Sequence, residues 1–92
     1  VNYRIIATLR NFQHGEKMKL NSKLNLVGIA WPVSLLKFKS EVNHMRACEV
    51  MEVLTRDPDV VANITMIVQR SEDILVDQQK EGDVYRLSVQ KG

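Results

Sequence analysis

Three features of this 92-residue sequence predict a fold of the α+β class, a two-layer α/β sandwich whose mixed four-stranded sheet carries two helices on one face. First, residues 32–45 and 58–68 place apolar side chains three and four positions apart, the spacing of an amphipathic helix. Second, each of these stretches follows a short strand-like segment, near residues 24–27 and 49–55. Strands separated by a helix pair in parallel through a right-handed crossover. Third, residues 74–80 and 85–90 flank the turn Glu81-Gly82-Asp83, which predicts an antiparallel hairpin. The core order is therefore β-α-β-α-β-β.

Taken in order, residues 1–9 alternate Tyr3, Ile5, Ala7 and Leu9 against Asn2, Arg4, Ile6 and Thr8, a strand pattern. A longer alternation sets Met18, Leu20, Ser22, Leu24 and Leu26 on one face and Lys17, Lys19, Asn21, Lys23 and Asn25 on the other. With residues 11–16 between them and Gly15 near the tip, the two predict a β-hairpin. Residues 1–22 thus form an N-terminal extension to a domain spanning residues 23–92; the competing reading is a flexible tail. The sequence starts at Val1 and not at Met, so a preceding piece is left open.

Gly28-Ile29-Ala30-Trp31-Pro32 joins the first core strand to the first helix. Proline has its φ already near the helical value and no N–H to lose, which suits Pro32 to the first turn and places Trp31 at the helix mouth. Leu35, Phe38, Val42 and Met45 make the inward face, opposite Lys37, Lys39, Ser40, Glu41, Asn43 and His44. After the strand at residues 49–55, Asp57 is a suitable N-cap, Pro58 a suitable first helical residue, and Asp59 complements the dipole. Val60, Val61, Ile64, Ile67 and Val68 form the second buried stripe, which the polar residues 69–73 end. In the last strand Tyr85, Leu87 and Val89 point inward and Arg86, Ser88 and Gln90 outward.

Composition narrows the function classes. A 45% hydrophobic content over 92 residues suits one compact domain. Thirteen basic against eleven acidic side chains give +2, without the concentrated positive charge of a nucleic-acid-binding face. The longest apolar run, residues 26–36, is interrupted by Gly28, Pro32 and Ser34 and falls short of the roughly 18–20 residues a membrane span needs, which predicts a soluble protein. The lone Cys48 cannot form an internal disulfide, and no basic-then-apolar leader is present, which together predict a cytoplasmic location.

The residues around Gly28 and Pro32, continued by Met45, Glu49, Asp57-Pro58, an acidic turn, Tyr85 and Lys91, resemble the small sulfur carriers of the TusA and SirA type over about residues 23–92. The family signature is Gly-x-x-Cys-Pro-x-Pro at a strand-to-helix junction. Here Gly28 and Pro32 match, whereas Trp31 stands at the cysteine position and Ser34 at that of the second proline. The resemblance implies the fold, with Gly28, Pro32, Asp57 and Pro58 as its structural signature. In the family the cysteine carries a persulfide, an anion favoured at a helix N-terminus. An indole cannot carry sulfur, so the fold is expected here and the reaction is not.

Two readings of Trp31 follow: an indole packed on the N-terminal extension that shields the sheet end, or a partly exposed anchor for a partner protein or planar ligand. Trp31, Pro32, Lys37 and Lys39 form the predicted interaction surface, on the side that meets partner proteins in the family. A lysine patch of Lys17, Lys19, Lys23, Lys37 and Lys39 is the wider version, against a solvated surface that discourages edge pairing. Cys48 lies past the far end of the first helix, where family members usually have glycine, and the expectation is a structural thiol. His14 and His44 lack the spacing of a zinc site, and no phosphate loop, nucleophile elbow or carboxylate pair appears, so no metal, cofactor or catalytic residue is expected. The function expected is a non-catalytic domain of this type that binds a protein partner in an accessory or regulatory role in sulfur or redox metabolism. The alternative is a working persulfide carrier, in a sulfur relay or tRNA thiolation, through Cys48 or a partner's cysteine.

Overall fold

The computed structural model describes residues 20–92, and the elements run β1 (Ser22–Asn25), α1 (Val33–His44), β2 (Val50–Thr55), α2 (Pro58–Gln69), β3 (Ile74–Glu81) and β4 (Val84–Gln90). The expected hairpin partner in residues 1–19 lies outside the described residues, with His14, Lys17 and Lys19. The sheet order is β1-β2-β4-β3. β1 and β2 are parallel, with Leu24 opposite Val53, as the intervening helix requires. β4 pairs antiparallel with both neighbours and closes the hairpin at Gly82, whose φ of +62° favours glycine.

One apolar cluster joins the layers. Met51, Val53, Leu87 and Val89 rise from one sheet face to meet Phe38 and Val42 of α1 and Val60, Val61, Ile64 and Val68 of α2, so both helices cover the same face. Full burial of side chains of this size stabilises by about 1.5–3 kcal/mol each before ordering costs. α2 begins as the sequence predicts: Asp57 accepts a hydrogen bond from the Asp59 N–H at 2.9 Å, Pro58 fills the first turn, and the stripe faces inward. Among the described residues no helix is long and apolar enough to cross a membrane.

Two details differ from the expected pattern. On α1 the innermost positions are Ser34, Phe38 and Val42, four apart; Met45, half-buried just past the helix, packs against the core as expected, while Leu35 is only half-buried and outside that cluster. Phe38 and Val42 set the rotation of the helix, and the residue one turn before Phe38 on that ridge is Ser34. Its hydroxyl is buried without a hydrogen-bond partner. On β4, Ser88 has the outward register but is buried, because it lies mid-sheet between the longer Glu52 of β2 and Asp77 of β3. The same outer face holds Arg86, whose Nη2 lies 2.7 Å from Glu81 and whose Nε lies 3.7 Å from Glu52, bridging three strands.

Candidate functional site

The site forms where β1 passes into α1. β1 remains attached to β2 through Leu26, whose N–H donates to the Leu54 carbonyl at 2.7 Å. The chain then turns: Val27 N–H donates to Asn25 Oδ1 at 2.9 Å, and Ile29 N–H to the Leu26 carbonyl at 3.0 Å. Gly28 makes the turn with a φ of +80°, and a Cβ there would meet nothing within 4 Å, so glycine is used for its backbone freedom and not for space. α1 starts one residue later than Pro32, which occupies the N-cap position and accepts from Leu36 N–H at 3.2 Å. No side chain caps this end and no acidic residue stands in its first turn, so its positive end is left uncompensated by side chains.

The second wall comes from the passage of β2 into α2. Thr55 is buried and its Oγ1 accepts from Asp57 N–H at 3.1 Å, which orients Asp57 to cap α2. Residues 26–30 and 55–58 enclose an open cleft of about 500 Å³, lined by Leu26, Ile29 and Ala30 against Arg56 and Pro58. Arg56 reaches over the rim to Asp83 at 3.6 Å, an exposed pair of small energetic weight.

Beside the cleft, Trp31 is 42% exposed, and the N-terminal extension on which a packed indole would rest lies outside the described residues. Val33 and Leu36, 50% and 63% exposed, extend that apolar surface along the first turn of α1. Sequence reasoning overlooked these two; the available signal was two apolar residues off the Phe38–Val42 stripe at helix spacing. Pro32, Lys37 and Lys39 are exposed on or next to the same helix. Lys23 is not part of this surface: Leu24 packs into the core, so Lys23 lies on the opposite sheet face across from Glu52. The described part of the expected lysine patch is therefore split between two faces.

Among the described residues, neither hydroxyl of the junction is an accessible nucleophile. The two, Ser34 and Thr55, are 0% and 1% exposed. Cys48 is about 18 Å away along the twelve-residue α1 and beyond its end. A structural, packed thiol was expected there, but Cys48 is exposed. It occupies a turn with a φ of +71°, the left-handed conformation that suits the glycine usual at this position, and such a turn holds the side chain outside the core. His44 Nδ1 lies 2.6 Å from the Ser40 carbonyl, within its own helix. Among the described residues no three His, Cys, Asp or Glu side chains gather as a metal site.

A model of the sulfurtransferase TusA family matches residues 22–91, which takes in every described strand and helix. The chain belongs to the TusA family. It is also 27% identical over 75 residues to "Putative sulfur carrier protein YrkI" of Bacillus subtilis (strain 168), an alignment covering 82% of this chain and all of that relative.

Proposed function

We propose that this TusA-family domain docks onto a protein of sulfur or redox metabolism through the Trp31 end of α1, in an accessory or regulatory role, without itself carrying sulfur. The observation that carries this reading is Trp31 itself, 42% exposed at the mouth of a helix whose first turn adds Val33 and Leu36. Exposed tryptophan flanked by aliphatic side chains is the composition of an interface anchor. The uncapped helix end, with Lys37 and Lys39 one to two turns on, favours an acidic partner surface. Family membership and the name of the Bacillus subtilis relative support a partner drawn from a sulfur relay.

The test is Trp31→Ala, with binding to desulfurases and sulfurtransferases measured alongside thermal stability. Loss of an interface tryptophan costs about 2 kcal/mol or more, so affinity should fall roughly thirtyfold while the melting temperature stays near that of the parent. A large fall in melting temperature with unchanged binding by the folded fraction would reverse the assignment. The second reading, a working persulfide carrier, draws support from the exposure of Cys48. Cys48, however, lies past the C-terminal end of α1, about 18 Å from the junction at which the family signature has its cysteine.

A further inference from the structure

The sheet face opposite the helices is more buried than a bare face allows. Val50 of β2 and Ser88 of β4 alternate with Met51, Val53, Leu87 and Val89, whose side chains meet the helices, so both point to the outer face. Val76 of β3 sits at the bulge between Leu75, which packs against the core, and Asp77, which pairs with Ser88, and it too stands on the outer side. Val50, Ser88 and Val76 are 2%, 3% and 0% exposed, and neither valine belongs to the cluster between sheet and helices.

Ser88 is short and lies between taller neighbours. Val76 has no such shelter, because β3 is an edge strand of the described sheet and one of its flanks is open. On the same face the Glu52 side chain is only 13% exposed, and the Nε of Arg86 is buried without a hydrogen-bond partner among the described residues. Water would reach both on a bare surface. No described helix or strand stands over this face. Side chains closed off to this degree within one chain are covered by that chain, and residues 1–19 are the part of it outside the described residues.

We propose that residues 1–19 pack across the outer face of the sheet over Val50, Ser88 and Val76, with Ile5 and Leu9 turned down onto the two valines. The point of attachment fits. Asn21 N–H donates to the Val50 carbonyl at 2.8 Å and Asn21 Oδ1 accepts from the Val50 N–H at 2.9 Å, so the segment joins the sheet beside Val50. From β1 to β3 is three strand spacings, about 14 Å, and nineteen extended residues reach roughly 60 Å. The charges fit as well: the segment carries Arg4, Arg10, Lys17 and Lys19 against Glu16, while the face presents Glu52, Asp77 and Glu81 against Lys23 and Arg86. The TusA match begins at residue 22, so the cover is an addition outside the matched domain. Val50 begins β2 and Trp31 follows the end of the parallel β1, which puts the cover and the docking end at opposite poles of the sheet.

The experiment is methyl NMR on the full labelled chain, reading nuclear Overhauser contacts and relaxation by a soluble gadolinium chelate. The expected result is contacts from the Val50 and Val76 methyls to residues 1–19 of the same chain, with both valines as protected from the chelate as Val53 and Leu87. Ile5→Asp with Leu9→Asp should abolish those contacts and bring Val50 and Val76 to the relaxation level of the exposed Val33, leaving Val53 and Leu87 protected. If the variant unfolds, the contacts in the parent chain decide alone. Val50 and Val76 relaxed like Val33 in the parent, contacts that run between chains in a mixed labelled and unlabelled sample, or protection unchanged in the double variant would each overturn the proposal.

Discussion

Gly28 and Ser34 flank Trp31, and each makes a statement that a single substitution tests. At Gly28 the left-handed φ, and no steric demand, selects glycine. Gly28→Ala should therefore cost about 1 kcal/mol, read from chemical denaturation, and a neutral result would mean that the turn relaxes. Ser34 is the reverse case, a buried hydroxyl without a partner in the first turn of α1. Such a group is held at a desolvation cost of about 1–3 kcal/mol, so Ser34→Ala should raise stability or leave it unchanged. A loss would point to a partner that the hydroxyl finds in solution. The chemistry at Trp31 is tested by the double change Trp31→Cys with Ser34→Pro, which restores the family signature. It should make the protein a better substrate for sulfur loading than the parent, as measured by thiol-reversible mass gain.

The two helices are set by different means. α2 is specified locally, by the Asp57 cap, Pro58 and Asp59, and it was readable to within a residue. Asp57→Ala should cost about 1 kcal/mol, a shift of about 4–8 °C in melting temperature for a domain of this size. α1 lacks a side-chain cap and depends on packing through Phe38 and Val42. Phe38→Ala should thus be far more damaging, at about 3–5 kcal/mol, enough to unfold a marginal domain. This dependence also explains the misread inner face of α1. Periodicity reports that a stripe exists, but Leu35 and Ser34 differ by only one helical step, and the contacts of Phe38 across the sheet decide which of them turns inward. Ser88 escaped for a related reason, since alternation assigns a face and not the height of the neighbouring side chains.

For the molecule as a whole, element order, the parallel β1–β2 pair and the closing hairpin were legible because each has a local signal: helical spacing, an intervening helix, a glycine turn. The candidate site was legible only as a junction. Its cleft arises from two chain passages about thirty residues apart, and the exposure of Val33, Leu36 and Cys48 depends on how the layers meet. The proposed reading is of a TusA-family scaffold that keeps a docking end and has its sulfur-bearing group replaced. Its central claim is tested by incubating the protein with a cysteine desulfurase and sulfur-labelled cysteine, then reading protein-bound label before and after a thiol reductant. The account predicts no reductant-removable label, whereas a persulfide on Cys48 would contradict it.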